Sequence, residues 1–245
     1  MPCRTLLRLA ATLCLGVTLG ACASALPRYA DVDPAQALTI LRERADHVRT
    51  LSAACRIILE RPDGRSIQLV GALAARAPDH LRIRGWKASQ AVLDLTLRPD
   101  GLWLYCAQGS GAADEPVVDQ LTAARVAEAW SLVTGGFRSK SWALGGDSAP
   151  ATLRLVRRDG RTNVVCDVAR STLTVRRCEV IDDDSGARMT LMLDRYRRFG
   201  DVVWPARVRS ASPRGTVTVL VDDPVFNQSP PPKAFDPPRR AVRLP

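Results

Sequence analysis

The chain has 245 residues and a formal net charge of +10 at pH 7, with 35 Lys and Arg against 25 Asp and Glu. This basic balance favours anionic partners, either nucleic acid or a membrane with acidic head groups. The alternative is that many of the arginines simply occupy the solvent-exposed faces of strands. Aromatic residues make up only 5% of the chain, which argues against a stacking surface for nucleic-acid bases.

The first 21 residues have the organisation of a signal peptide. Arg4 and Arg8 give a positive start, and residues 9–19 form an uncharged, mostly apolar core that is too short to span a bilayer. Small residues then precede Cys22 in a pattern that resembles a lipobox, whose cysteine is acylated and becomes the first residue after cleavage. The alternative is an ordinary secretory signal, cleaved near residue 21 or 23. Either interpretation takes the chain out of the cytoplasm.

Residues 22–32 are predicted to form a tether, and residues 33–245 a single domain that begins with an amphipathic helix. Asp33 is a suitable N-cap, and Pro34 suits the first helical position. Apolar residues recur at helical spacing as far as Leu51, which predicts about four or five turns.

After this helix the hydrophobic period changes to that of β-strands and remains so. About eleven segments alternate apolar and polar residues, with turns rich in Gly, Pro and Asp between them. A second helix, about 119–133, interrupts the series after the fifth strand. A slip in the alternation at Arg176-Arg177 predicts a β-bulge. The predicted fold class is therefore α+β, mainly antiparallel β, with about eleven strands.

So broad a sheet has too little helix to cover its apolar face. Eleven strands about 4.8 Å apart would span on the order of 50 Å, whereas a helix covers roughly 10 Å. The sheet is therefore expected to curl strongly, with the helices as a lid over an apolar cavity. A flattened sandwich with a dry core is the alternative. The inward rows that would line the cavity and bind a ligand are Leu81, Ile83, Leu93, Leu95, Leu153, Leu155, Leu191, Leu193, Val217 and Val219.

The chain contains seven cysteines, two of them within the predicted signal peptide. With Cys22 acylated, an even set would remain for an oxidising compartment. Cys166 and Cys178 lie on strands that are predicted to be neighbours in a hairpin, and Cys55 with Cys106 would form the complementary bridge. Free buried cysteines are the alternative, because the sequence does not choose between pairings.

The order of these elements resembles the LolA and LolB family of lipoprotein-sorting proteins. The shared features are the lipobox, a first helix leading into an antiparallel meander, a helix after strand five, and the closing tail Phe235-Asp236-Pro237-Pro238. The resemblance covers most of residues 33–241, and the lipobox brings it nearer to LolB. It implies a half-open barrel with a helical lid, which binds acyl chains of lipoproteins or another lipid and passes them to the outer membrane.

In LolB, the loop between strands three and four presents an exposed apolar residue to the membrane. The corresponding stretch in this chain is Gly85-Trp86-Lys87-Ala88, and the resemblance therefore implies that Trp86 contacts the membrane. The LolB residue is aliphatic, so the match is one of position only. The alternative is that Trp86 packs inward.

No arrangement of residues predicts catalysis, a metal site or a cofactor. His47 and His80 have no Ser or Cys partner at motif spacing, and the chain has no Cys-x-x-Cys pair. The sequence therefore predicts a monomeric lipid-binding protein without a nucleic-acid partner, anchored through Cys22 at the periplasmic face of the outer membrane. A scaffold for an envelope protein and a sensor of envelope stress are alternatives with the same fold.

Overall fold

The structure is a computed structural model. It describes residues 25–30, 32–113, 115, 116, 118, 121–134, 136–138, 141–146 and 149–245. The predicted signal peptide and the predicted lipidation site, Cys22, lie outside these residues, so both stay predictions. Within the described ranges, no helix combines the length and the apolar character needed to cross a bilayer.

One sheet of 13 antiparallel strands organises the described chain. The strands are β1 Thr50–Glu60, β2 Ser66–Arg76, β3 His80–Lys87, β4 Gln90–Arg98, β5 Gly101–Cys106, β6 Ala143–Leu144, β7 Thr152–Asp159, β8 Thr162–Ala169, β9 Thr174–Asp182, β10 Arg188–Phe199, β11 Val202–Ser212, β12 Gly215–Phe226 and β13 Val242–Leu244.

The spatial order of the strands is β13-β5-β4-β3-β2-β1-β12-β11-β10-β9-β8-β7-β6. The first and last long strands, β1 and β12, therefore pair at the centre, while β13 and β6 form the two edges and do not meet. This half-open, curved sheet with helices on its concave side confirms the predicted fold class. The eleven predicted strands are all present, and the two short edge strands are additional.

Helix α1, Pro34–Asp46, begins as the sequence predicts. The Asp33 carboxylate accepts hydrogen bonds from the backbone N–H groups of Ala35 and Gln36, and Pro34 occupies the first turn. The helix is shorter than predicted, because Leu51 already belongs to β1, where it pairs with the sheet on both sides. Sheet pairing thus overrides the helical spacing of the apolar residues.

Helix α2 spans Ala123–Val133, with Thr122 as its N-cap. Its predicted start near residue 119 lies outside the described residues. The side chains of Val126 and Trp130 face an apolar cluster over β1–β5, β11 and β12, whereas Leu132 belongs to a second cluster with α1 and β7–β10. Because the concave side is filled by two separate clusters, α2 lies between two lobes of the core, and Val133 contacts both.

The β8–β9 pair contains the predicted bulge. Asp167 pairs with Arg177, but the next residue of β8, Val168, pairs with Val175. Arg176 is therefore the extra residue, which confirms the prediction from the slipped alternation.

The four cysteines of the described chain divide into a bonded and an unbonded pair. Cys166 faces Cys178 across β8 and β9, and the two form a disulfide. Cys55 and Cys106 are free, contrary to the bridge considered from the sequence. The physical reason is the sheet order, which places three strands between β1 and β5.

The segment before α1 already belongs to the folded body. The backbone N–H of Tyr29 donates to the Ser171 carbonyl at 2.9 Å, and Arg44 donates to the Tyr29 hydroxyl at 2.9 Å. Val32 is buried in the second apolar cluster. Tyr29 and Val32, which belong to the predicted tether of residues 22–32, thus contact the folded body, and the boundary between tether and domain stays a prediction.

The tail after β12 packs on the face of the sheet opposite to the apolar clusters. Phe235 is buried, with its ring centroid 5.2 Å from that of His80. Arg82 donates to the Ala234 carbonyl at 3.1 Å. The chain then returns to the sheet edge as β13, so the tail crosses the outer face from centre to edge.

Candidate functional site

An apolar cavity of about 170 Å³ lies between α2 and the concave face of the sheet. Side chains of β2, β3 and β4 form one wall: Leu73, Leu81, Ile83 and Leu95. Side chains of β10, β11 and β12 form the other: Met189, Leu191, Val208, Val217, Val219 and Val221. The helix and the residue that leads into it complete the enclosure with Leu121, Val126, Ala129, Trp130 and Val133.

Strand register explains why these side chains meet. Ile83 is the cross-strand partner of both Leu73 and Leu95, and Val208 is the partner of Val219. Directly opposed residues of an antiparallel pair lie on the same face of the sheet. Each strand therefore adds one inward residue to a continuous apolar row, and the curvature of the sheet brings the two walls towards each other.

Two tryptophans close one part of the cavity. The rings of Trp130 on α2 and Trp204 on β11 are 6.2 Å apart between centroids, and Trp204 also contacts Phe226 with the ring centroids 5.6 Å apart. Trp130 and Trp204 are 4% and 2% exposed. Neither indole N–H has a hydrogen-bond partner among the described residues. A buried donor without an acceptor costs about 1–3 kcal/mol, so the buried position of the Trp130 indole carries a free-energy penalty.

The lining contains three polar residues, as far as the described chain shows: Arg125, Ser210 and Ser212. Arg125 lies in the first turn of α2, and the two serines lie at the end of β11. Because α2 rises about 1.5 Å per residue, Arg125 is roughly 8 Å along the helix axis from Trp130. The polar residues thus come from the parts of α2 and β11 that lie away from the tryptophans.

Helix α2 is held by polar contacts outside the cavity. The Glu128 carboxylate lies 2.6 Å from the guanidinium of Arg157 on β7, whose side chain is only 7% exposed. That guanidinium also lies 5.2 Å from the ring centroid of Trp142. At the start of the helix, the backbone N–H of Ala123 donates to the backbone oxygen of Pro245 at 2.8 Å. The helix is therefore fastened to both edge regions of the open sheet.

The structure brings together part of the predicted cavity lining. Six of the ten predicted residues line the cavity: Leu81, Ile83, Leu95, Leu191, Val217 and Val219. Leu93 lies in the first apolar cluster, and Leu153, Leu155 and Leu193 lie in the second. These four point to the concave side as expected, but they are buried among other side chains and do not line the cavity.

The sequence did not identify the polar residues or Trp204 as cavity residues. The alternation of β11 places Trp204 and Val208 on one face, and Ser210 and Ser212 continue that face to the end of the strand. That periodicity was the available signal. It did not lead to the serines because inward serines are indistinguishable from the polar residues of an approaching turn.

Trp86 lies within β3 and not in the loop where the sequence placed it. The turn between β3 and β4 consists of Ala88 and Ser89, which have φ angles of 47° and 66°. Trp86 pairs with Val70, which is 69% exposed, and the Arg84 guanidinium lies 5.1 Å from the Trp86 ring centroid. The inward alternative is wrong, because Trp86 shares the outer face with Val70. Its contact with a membrane stays a prediction.

Comparison with known proteins gives matches in structure but none in sequence. No family profile and no curated protein matches the chain. A DUF1329 family protein from Desulfovibrio piger has a TM-score of 0.61 and 13% identity, and the match covers 84% of this chain and 98% of that chain.

Two further solved structures share this architecture. A domain from Vibrio parahaemolyticus, described as an outer-membrane lipoprotein-sorting protein, has a TM-score of 0.55 and 12% identity over 83% of this chain and 97% of its own. A LolA-superfamily protein from Nitrosomonas europaea has a TM-score of 0.54 and 13% identity over 81% of this chain and 96% of its own. Each of these chains is therefore matched over nearly its whole length.

Proposed function

Because the chain has a LolA/LolB-like fold, we propose that it is a lipid carrier that holds acyl chains, from a lipoprotein or another lipid, in the cavity under α2. The observation that carries this proposal is the apolar lining on three sides, which comes from both halves of the sheet and from the helix. Burying a methylene group in such a lining is worth about 0.8 kcal/mol. A chain of several methylenes therefore gains enough to leave water.

The size of the cavity supports a mobile lid. At about 170 Å³ it is smaller than the roughly 300–1,000 Å³ of typical ligand sites, so a long acyl chain enters only if α2 moves outward. Helices shorter than about 12–15 residues are marginal on their own, and α2 depends on its tertiary contacts. Outward movement would also hydrate the Trp130 N–H, which lowers the cost of opening.

Transfer in this mechanism involves no covalent step. An acyl chain leaves one apolar host for another, and the difference in free energy between the hosts sets the direction. The cavity must therefore hold its guest less tightly than the receiving membrane does. Its limited volume acts in that direction, because α2 must move outward to admit a chain.

The proposed location is the periplasmic face of the outer membrane, with a lipid on Cys22 as the anchor. The chain between Cys22 and Tyr29, which is already packed on the body, spans at most roughly 25 Å when extended. The body would therefore remain close to the membrane. Trp86 and Val70 on the outer face, beside Lys87, form an apolar and basic surface that suits the interface, since indole rings prefer head-group depth.

The test is lipid recovery from the full chain carrying Cys22→Ala, which cannot be acylated at that position. Organic extracts are analysed by mass spectrometry, and binding of the neutral probe N-phenyl-1-naphthylamine is measured by fluorescence. Ala129→Phe fills the cavity from α2 and is expected to lower both signals. The matched control is Ala127→Phe, because Ala127 is on the same helix but exposed.

Two results would contradict the proposal. One is a protein without recoverable lipid and without probe binding, in which case the scaffold function is the better account. The other is an equal response of the two phenylalanine variants, which would show that the probe binds elsewhere.

A further inference from the structure

We propose that the guest of this cavity is a single-chain amphiphile with an anionic head group, whose head is bound by Arg125, Ser210 and Ser212. The inference rests on the proposed function and adds the class of lipid. It commits to one chain and one negatively charged head, either a carboxylate or a phosphate.

The first argument is the placement of the two serines. Ser210 pairs with Leu191 on one side and Val217 on the other, both of which line the cavity. Ser212 is the next inward residue of the same strand, about 7 Å further along. Two hydroxyl groups therefore extend an apolar row at one end. The Ser210 hydroxyl can donate to an anionic oxygen directly, whereas the Ser212 hydroxyl donates to the Gly215 carbonyl at 3.2 Å and would have to turn away from it to bind a guest.

The second argument is the position of Arg125. A cation in the first turn of a helix interacts unfavourably with the helix dipole. Arg125 already takes part in an interaction within the protein, so a head group would share its five N–H donors with that partner. The same dipole favours a bound anion at that end. Arg125 also carries an apolar stem, which can cover the chain of a guest while the guanidinium meets its head group.

The third argument is that Arg125 reaches the hairpin at the cavity rim. The pKa of the exposed Asp182 carboxyl is lowered, mainly by hydrogen bonds from Ser185 and to a smaller extent by the charge of Arg125. Asp182 ends β9, and Met189, near the start of the following strand, lines the cavity. Arg125 thus borders the apolar lining and lies within the range of the charge of this hairpin, at an end of the cavity where a head group would remain partly hydrated.

The fourth argument is volume. A cavity of about 170 Å³ accepts one chain with a modest movement of α2, whereas several chains on one head group need a much larger opening. Size and charge thus favour the same class of guest, and a neutral multi-chain lipid fits neither feature as well.

The experiment is displacement of N-phenyl-1-naphthylamine from the full chain carrying Cys22→Ala. The competitors share one acyl chain and differ in the head: palmitate, palmitoyl lysophosphatidate and the neutral monopalmitoylglycerol. We expect at least one anionic competitor to bind about ten-fold more tightly than the neutral one, through charge-assisted hydrogen bonds. The ratio between palmitate and lysophosphatidate then identifies the carboxylate or the phosphate as the preferred head.

Variants assign the preference to its residues. Arg125→Gln should abolish most of the preference for anionic over neutral competitors, and Arg125→Lys should retain most of it. Ser210→Ala with Ser212→Ala should weaken the anionic competitors only. Arg188→Gln is the matched control, because Arg188 is an exposed arginine beside Met189, so its loss removes the same charge from the rim.

The outcomes separate the two proposals. Equal competition by charged and neutral lipids in the otherwise unaltered protein overturns the anionic class and leaves the carrier function intact. A preference that survives Arg125→Gln, or that Arg188→Gln removes equally, overturns the assigned site. Failure of the probe and of every competitor to bind overturns the carrier function itself.

Discussion

The carboxylate of Asp94 lies 2.8 Å from the guanidinium of Arg82 on the outer face of the sheet. Arg84 lies 3.0 Å from the same carboxylate, but its Nε–H is not aligned for a hydrogen bond, so that contact is one of charge. The Asp94 side chain is only 3% exposed. Because Arg82 also binds the Ala234 carbonyl, this cluster fastens the tail to the sheet.

Asp94→Asn should therefore loosen the tail as well as destabilise the fold. Removal of one charge from a buried cluster typically costs about 3–5 kcal/mol, because the remaining charges lose their partner. We expect a loss of about 3 kcal/mol in urea unfolding and faster proteolysis within residues 229–241. Asp100→Asn is the control, since Asp100 forms a comparable but exposed pair with Arg98. Equal stability of the two variants would contradict a structural role for the buried cluster.

Glu128→Gln should make α2 open more readily. The substitution removes the counter-charge of Arg157, which remains largely buried, so the attachment of the helix weakens. We expect a loss of about 2–3 kcal/mol in stability and a several-fold faster association of N-phenyl-1-naphthylamine in stopped-flow fluorescence. Glu43→Gln, at an exposed position of α1, should change neither. A destabilised variant with an unchanged association rate would show that α2 does not gate the cavity.

The Cys166–Cys178 disulfide should stabilise the second lobe of the core. The two cysteines are 12 residues apart in the sequence, and closing a loop of this size is worth about 3 kcal/mol. Replacing both with alanine should lower stability by that amount and remove any further effect of dithiothreitol on urea unfolding. Cys106→Ala should leave the response to dithiothreitol intact. If the unaltered protein is insensitive to the reductant, the bridge makes no such contribution.

The free cysteines predict a loss of stability at alkaline pH. Burial raises the pKa of Cys55 to about 12, with a smaller contribution from the charge of Asp222, and burial raises the pKa of Cys106 to about 11. Both have a reference pKa of 9.0, so the folded state retains protons that the unfolded state loses above pH 9. The stabilisation is complete below pH 9 and decreases by about 1.4 kcal/mol per pH unit for each thiol until the folded pKa is reached.

A comparison of urea unfolding at pH 8 and pH 10 tests this expectation. Replacing Cys55 and Cys106 with alanine should reduce the loss between these two pH values by about 2–3 kcal/mol. Tyr196, whose pKa burial also raises, is present in both proteins and cancels in the comparison. Equal pH slopes would mean that the two thiols are hydrated in the folded state.

The sequence predicted the sheet well because apolar and polar residues alternate along a half-buried strand. It missed β6 and β13, since strands of two or three residues are too short to show a period. It placed Trp86 in a loop because the actual turn, Ala88-Ser89, contains no Gly or Asn to mark the left-handed conformation that both residues adopt.

The cavity was harder to predict than the sheet. Alternation indicates which side chains face the concave side, but not which of them meet a neighbour there. Leu153 and Leu191 have the same pattern, yet Leu153 is enclosed by the second apolar cluster, while Leu191 borders the cavity. The difference depends on where α1, α2 and Trp142 pack, and those are long-range contacts that no local pattern records.

The two edge strands affect whether copies of this protein associate through their sheets. An open sheet leaves unpaired backbone groups along both borders, which is a template for a strand of another molecule. Here the outermost strands are Ala143–Leu144 and Val242–Leu244, and the second carries the charged Arg243. The first of them pairs only with Leu155 and Val156, so the rest of that border is β7, which carries Arg157 and Arg158. Short outermost strands and charged border residues both discourage pairing with a neighbour. Molecules concentrated side by side on a membrane should therefore remain separate and not polymerise through their sheets.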